Sequence, residues 1–198
     1  MLQLLTLAAG QTARILNISD LASPFQVSRQ TIKDYVTLLD RVFLLEPLPP
    51  WHSNRLSYLV KTAKLHIADT GVAAALLGID AKALLLDRPP LGQLLETFVL
   101  RELRRQASWH DPAISFHHFR DRDGVEVDIA LEYGAQQIAG VEIKASATVT
   151  PHDFRGLRKL KKASGKRFRA GIVLYDGEAS TGFGEDFHAV PIRLLWDS

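Results

Sequence analysis

The sequence predicts an α/β chain in two parts, a small helical unit with a β-wing over residues 1–80 and a mixed sheet flanked by helices over residues 90–198. Three observations predict it. Residues 28–43 set apolar side chains at helical spacing behind a serine cap, and residues 91–103 repeat that spacing. Residues 123–131 and 140–144 instead alternate apolar with charged or small side chains at period two, the mark of strands.

Taken in order, Leu2, Leu4, Leu5 and Leu7 open a first helix that Gly10 can close. Ser19 is expected to cap a short helix, Asp20-Leu21-Ala22, and Pro24-Phe25-Gln26-Val27 to form the turn after it. Ser28 caps a third helix with a buried stripe of Ile32, Tyr35, Val36, Leu39, Val42 and Phe43. The outer face of that helix carries Arg29, Gln30, Lys33, Asp34, Thr37 and Arg41. Two strands, Phe43 to Leu48 and Lys64 to Ala68, would enclose a wing with Pro49-Pro50-Trp51 and the cations Arg55, Lys61 and Lys64. This is the pattern of a winged helix-turn-helix, in which the third helix meets a major groove. Arg29, Gln30, Lys33 and Arg55 are therefore candidate nucleic-acid contacts; docking of a protein is the other use open to such a module. A trailing helix runs from an Asp69 cap to Gly78.

Asp87-Arg88-Pro89-Pro90 is a breaker cluster and the expected linker. Beyond it a helix spans Leu91 to Leu103 and a first strand Ile114 to Arg120. His117 and His118 are adjacent on that strand, so they face opposite sides and make poor partners for one ion. Asp121 and Asp123 suit the turn before Gly124. A hairpin centred on Ala135 sets Asp128 directly opposite Glu142, with Cβ atoms roughly 5 Å apart, and puts Lys144 on the face of Glu142. Thr150, Pro151 and Asp153 start another helix, Phe168 to Tyr175 form a strand, and Phe187 to Ile192, with its proline, reads as an edge strand.

Two carboxylates and an ammonium on one patch suit Mg²⁺, which takes oxygen ligands and keeps positions for water and phosphate. Asp128 and Glu142 are the candidate metal ligands, and Lys144 would help deprotonate a water or offset charge on a phosphate. The bland alternative is a solvated ion-pair face worth about 0–1 kcal/mol per pair. Between Arg155 and Arg169 there is no acid among Arg155, Arg158, Lys159, Lys161, Lys162, Lys166, Arg167 and Arg169. Arg158 and Lys162 stand for a face that cradles a nucleic-acid backbone, or else for a solvated face balanced by the acids of residues 176–186.

Composition narrows the classes. A formal net charge of only +2 means that nucleic-acid binding must come from local patches. The absence of cysteine excludes disulfides, thiolate zinc sites and cysteine nucleophiles. No apolar run approaches the roughly 20 residues that span a bilayer, and no basic, apolar leader opens the sequence, so a cytoplasmic chain without membrane contact is expected. The phosphate-loop pattern G-x-x-x-x-G-K-[ST] is missing throughout, hence no ATP site.

Asp128 on one strand with Glu142-Ile143-Lys144 on the next resembles the signature of the PD-(D/E)xK nucleases, and the order helix, three strands, helix, strand resembles their fold. That resemblance implies a further acid on the preceding helix, Glu96, giving a catalytic set of Asp128, Glu142, Lys144 and Glu96. More of the chain carries a narrower likeness: the Leu-rich start, Ser28-Arg29-Gln30-Thr31-Ile32, Leu48-Pro49-Pro50-Trp51, Lys61 to Lys64 and Ile67-Ala68-Asp69-Thr70-Gly71. Together with the C-terminal half, these resemble the domain of unknown function that follows an AAA+ ATPase module in many uncharacterised prokaryotic ATPases. The resemblance implies the C-terminal region of such an ATPase, with DNA and the AAA+ module as partners and a Mg²⁺-dependent phosphodiesterase site. The alternative it leaves open is a non-catalytic DNA or protein recognition module serving an ATPase.

Overall fold

The computed structural model describes residues 1–51, 59–86, 88–110, 113–134 and 136–197; Arg55, Asp87 and Ala135 lie outside them. The chain divides into two units, Met1–Leu48 with Thr62–Arg101, and Pro49–Lys61 with Glu102–Ser198.

The first unit runs α1 (Leu2–Gly10), β1 (Arg14–Ile15), α2 (Ile18–Ala22), α3 (Arg29–Arg41), β2 (Leu45–Leu48), β3 (Lys64–Ile67), α4 (Thr70–Leu77), α5 (Ala81–Leu86) and the first part of α6 (Arg88–His110). Its sheet is antiparallel in the order β1-β3-β2. The two-residue β1 is too short for a periodic signal and was not expected. Caps follow local chemistry: Ser28 Oγ accepts the Thr31 N–H at 3.0 Å and Asp69 Oδ1 the Val72 N–H at 2.7 Å. The cap of α2 is Asn17, whose Oδ1 accepts the Ser19 N–H at 3.0 Å, not Ser19 itself. On α3 only Ile32, Val36 and Leu39 of the expected stripe enter the core with Leu4, Leu5, Ala8, Leu45 and Leu65. Tyr35 lies at the exposed flank of that stripe, and Val42 and Phe43 are exposed because the chain leaves the helix after Arg41 and Phe43 takes a left-handed φ of 58°. Pro89 and Pro90, expected in a linker, occupy the first turn of α6, where a missing N–H breaks no helical bond.

The second unit holds β4 (Ile114–Arg120), β5 (Glu126–Tyr133), β6 (Gln137–Lys144), a 3-10 turn at Pro151–Phe154, α7 (Arg155–Ser164), β7 (Phe168–Tyr175), β8 (Thr181–Gly182) and β9 (Phe187–Pro191). The sheet order is β4-β5-β6-β7-β9-β8: antiparallel through β6, parallel for β6–β7 and β7–β9, antiparallel for β8–β9. Thus β9 is an inner strand, and the two-residue β8 covers its outer side at His188 and Ala189. Pro191 is tolerated because it ends the strand. Part of the expected wing belongs here: the Trp51 N–H donates to His118 O at 2.7 Å, and the buried indole packs on Phe119.

α7 makes the crossover between β6 and β7 and lays Leu157 and Leu160 on the sheet. It sits low because glycines meet it. A Cβ at Gly140 would stand 2.6 Å from Leu157 Cδ2, and one on Gly156 would stand 1.9 Å from the Glu126 carbonyl oxygen. The first turn of α7 is therefore held against the β5 backbone, beside the open end of β6.

Candidate functional site

Glu142 and Lys144 occupy alternate positions on β6, on the face that Gly140 turns to α7, and Lys144 Nζ donates to Glu142 Oε1 at 2.8 Å. Asp128 arrives through a bulge in β5. His117 pairs with Ala130 but Phe119 with Val127, so β5 carries one residue more than β4 at this point. The β5–β6 ladder has the register expected, Tyr133 with Gln137 to Ile129 with Val141, which points Asp128 at Glu142. It stops one step short of that pair. Instead Asp128 Oδ2 accepts the Ile143 N–H at 2.9 Å, so its side chain takes the place of a backbone acceptor and binds the two strands where they part.

Both carboxylates are mostly buried, Asp128 at 7% and Glu142 at 9% exposure. Glu142 and Lys144 form one wall of an open cleft of about 200 Å³. His152, Asp153, Arg155 and Gly156 form another, and the Asp123–Glu126 turn closes the end. Within that turn Asp121 Oδ1 accepts the Val125 N–H at 2.9 Å, as its turn chemistry predicts, and Lys159 pairs with the same carboxylate.

The cleft is electrostatically coupled. Burial pulls the Lys144 ammonium down, but Glu142, Asp128 and Asp153 together outweigh it and raise its pKa above the ordinary lysine value. Burial likewise favours the neutral acid of Asp153. The Thr150 N–H and hydroxyl, at 2.7 and 2.8 Å, and then the Lys144 charge outweigh that and lower its pKa. For Asp121 burial is again the largest influence, exceeded by Lys159 and the Val125 N–H together, and its pKa is lowered too.

A prediction follows from these signs. Folded-state pKa values held below the unfolded ones contribute stability above the ordinary Asp value, near pH 4, that is lost as pH falls through the folded values. All three tryptophans belong to the second unit, so their fluorescence follows its unfolding. The urea midpoint read this way is expected to drop on acidification below about pH 4, and Asp121→Asn to flatten that drop. An equally steep drop in the variant would contradict the assignment.

The other candidates are placed differently. Glu96 belongs to the first unit, where Lys64 Nζ donates to its Oε1 at 2.7 Å. Arg29 and Lys33 are exposed on α3, while Gln30 Nε2 donates to Asp34 at 2.7 Å. Arg158 donates to Pro151 O at 2.6 Å and lies 5.8 Å from the ring centroids of Phe154 and Phe187; Lys162 is exposed. Arg55 is outside the described residues. Sequence reasoning passed over His152 and did not bring Asp153 or Arg155 to the cleft of Glu142 and Lys144. Asp153 was legible as the partner of a Thr150 capping box, but nothing local announced Lys144 beside it.

Among the described residues no three His, Asp or Glu side chains gather as a ready metal cage, and no helix is long and apolar enough to cross a membrane.

Residues 91–195 match the model of a domain of unknown function, DUF4143, and residues 1–83 that of a second, DUF8612. Uncharacterized proteins of Mycobacterium tuberculosis and Mycobacterium bovis are each 29% identical over 153 residues, covering 77% of this chain and 33% of theirs. The chain spans about a third of the length of these curated relatives. Among solved structures, a chain of the half-complex from the tetradecameric assembly of Thermococcus gammatolerans McrB AAA+ hexamers with bound McrC is similar at a TM-score of 0.38 and 10% identity, over 95% of this chain and 70% of that one. The match over residues 91–195 covers more than half of the sequence, and the chain belongs to the DUF4143 family, whose domain typically follows an AAA+ ATPase module.

Proposed function

We propose that the chain is the recognition and cleavage portion of an AAA+-linked protein, a DNA-binding winged helix-turn-helix followed by a PD-(D/E)xK-like domain with a Mg²⁺-dependent phosphodiesterase site. The hairpin register carries this proposal, because it sets Asp128 opposite Glu142 with its carboxylate on the Ile143 N–H, while Glu142 and Lys144 line an open cleft. The order α1, β1, α2, α3, β2, β3 supports the first assignment, and the order α6, β4, β5, β6, α7, β7 supports the second. The tie to an ATPase rests on family membership.

The donor chemistry fits a hard cation. Asp128 and Glu142 offer carboxylate oxygens, and Mg²⁺ is commonly held by one or two carboxylates with water and substrate phosphate completing its shell. These two residues would hold the ion, which when bound supplies charge to a phosphoryl oxygen and a more acidic water. Lys144, whose Nζ lies 2.8 Å from Glu142 Oε1, is placed to set its cation against a phosphate oxygen. The Ile143 N–H fixes the Asp128 carboxylate so that it need not reorganise during reaction. Glu96, engaged by Lys64, has a structural part.

Plasmid nicking in Mg²⁺ or Mn²⁺ tests this. The native chain is expected to nick, and Lys144→Ala to lose about 10²–10³-fold, as when one fixed transition-state donor is removed. No nicking by the native chain, or equal nicking by the variant, would overturn it.

One observation favours the docking alternative. Tyr35, Leu38, Val42 and Phe43, on α3 and just past its end, are 41%, 46%, 52% and 84% exposed, an apolar surface better suited to protein than to DNA. On that reading, Phe43→Ser weakens a protein partner and leaves DNA affinity alone.

A further inference from the structure

Of the cations between Arg155 and Arg169, several already have partners. Lys159 pairs with Asp121 and, at 3.4 Å, with Asp123; Lys161 pairs with Asp186; Arg167 pairs with Glu132. Arg158 is held by Pro151 O and two phenylalanine rings. Arg155, Lys162, Lys166 and Arg169 are different: all four are exposed, and no ion pair joins them to the other described residues, but Arg169 is on β7 and the other three are on or just past α7.

Their placement is directional. Arg155 is part of the cleft wall. Lys162 lies two helical turns on, so it shares that face of α7, opposite the buried Leu157 and Leu160. Lys166 follows in the 3-10 turn Gly165–Arg167. The step from Arg155 to Lys162 is about 10 Å along the helix, roughly three nucleotides of one duplex strand at 3.4 Å each.

We infer that Arg155, Lys162 and Lys166 form a track that leads one backbone of duplex DNA along α7 into the cleft, gripping phosphates without reading sequence. The inference rests on the cleft being a phosphodiester site. At about 200 Å³ the open cleft is smaller than the roughly 300–1,000 Å³ of pockets that enclose whole small ligands, as suits a short stretch of backbone passing through it. Among the described residues no Phe, Tyr or Trp lines it, so they offer no stacking platform of the kind by which single strands are held. Phosphate contacts of this kind position a duplex and carry no sequence information.

The test is fluorescence anisotropy with two duplexes of unrelated sequence and one single strand, titrated across a range of salt. The native chain is compared with the triple variant Arg155→Ala, Lys162→Ala, Lys166→Ala and with Lys161→Ala. Each phosphate contact contributes about 0.9 to the slope of log affinity on log salt for a duplex, so the triple variant should lose about 2–3 of slope on both sequences. Lys161→Ala, already paired with Asp186, should lose far less. An unchanged slope in the triple variant, an equal loss in Lys161→Ala, tighter binding of the single strand, or no duplex binding at low salt would each overturn the track. Nicking is read on the same samples. A slope that falls as expected with no nicking by the native chain sinks the phosphodiesterase and leaves the track; nicking with an unaltered slope does the reverse.

Discussion

Replacing Glu96 by alanine is expected to cost the first unit about 3–5 kcal/mol, the loss typical when one partner of a buried ion pair is removed. Lys64 is only 2% exposed, and the Glu96 carboxylate receives its ammonium at 2.7 Å. The pair lies among further buried polar groups. His66 is fully buried, with Nδ1 bonded to Thr97 Oγ1 at 3.0 Å, and Thr97 in turn meets Thr12 Oγ1 at 2.9 Å. Thr12 accepts the Ile67 N–H at 3.0 Å, so consecutive residues of α6 hold β3 through polar groups at several points. The double variant Lys64→Met, Glu96→Leu removes both charges together and should cost much less than the single change, since apolar replacement of a whole buried pair is often neutral or stabilising. Calorimetric melting of the three proteins checks this. A single variant that melts like the native chain, or a double variant worse than the single, would contradict the structural part given to Glu96.

Gly156→Ala is expected to strike the second unit harder than its one added methyl suggests. That methyl would meet the Glu126 carbonyl oxygen at 1.9 Å and Val127 Cγ2 at 3.2 Å. The nearest obstacle is backbone, so α7 has to lift. Overpacking of this kind costs about 1–3 kcal/mol and sometimes more. Because Arg155 is the next residue, the lift also carries the cationic wall away from Glu142 and Lys144. Tryptophan-monitored urea unfolding should show a lower midpoint, and nicking should fall even at temperatures where the variant is folded. Gly92→Ala is the control. Among the described residues nothing stands within 4 Å of a Cβ at Gly92, inside α6, and alanine there should stabilise the first unit by about 0.5–1 kcal/mol in a calorimetric melt. A Gly156 variant as stable and as active as the native chain would remove the close approach from the account of the cleft.

Where single elements speak for themselves, the sequence was a sufficient guide. Ser28 and Asp69 announce helix starts because their oxygens satisfy N–H groups three residues on. The β5–β6 register follows from alternation and a short turn, and so Glu142 and Lys144 could be set on one face before any coordinates were known. What stayed hidden depends on contacts between distant residues. Glu96 has the helix position of a site acid, yet it is claimed by Lys64, 32 residues earlier in the chain. Asp153 looks like a local cap and is also a partner in the electrostatics of Lys144. Val42 and Phe43 fit a helical stripe on paper, but the helix ends at Arg41 and the left-handed turn at Phe43 sends them to the surface. Arg158 and Lys162 read alike in a run of cations; the Pro151 carbonyl and the rings of Phe154 and Phe187 set Arg158 apart.

The central claim is that Asp128 and Glu142 hold a divalent cation at a phosphodiester site. Its most direct test is a calorimetric titration of Mg²⁺ or Mn²⁺ into the native chain and into Glu142→Ala, with circular dichroism confirming that the variant is folded. One-to-one binding in the native chain that vanishes in the folded variant is the predicted result. Absence of binding in the native chain, or undiminished binding in the variant, would contradict the claim and leave recognition on behalf of an ATPase as the function of this chain.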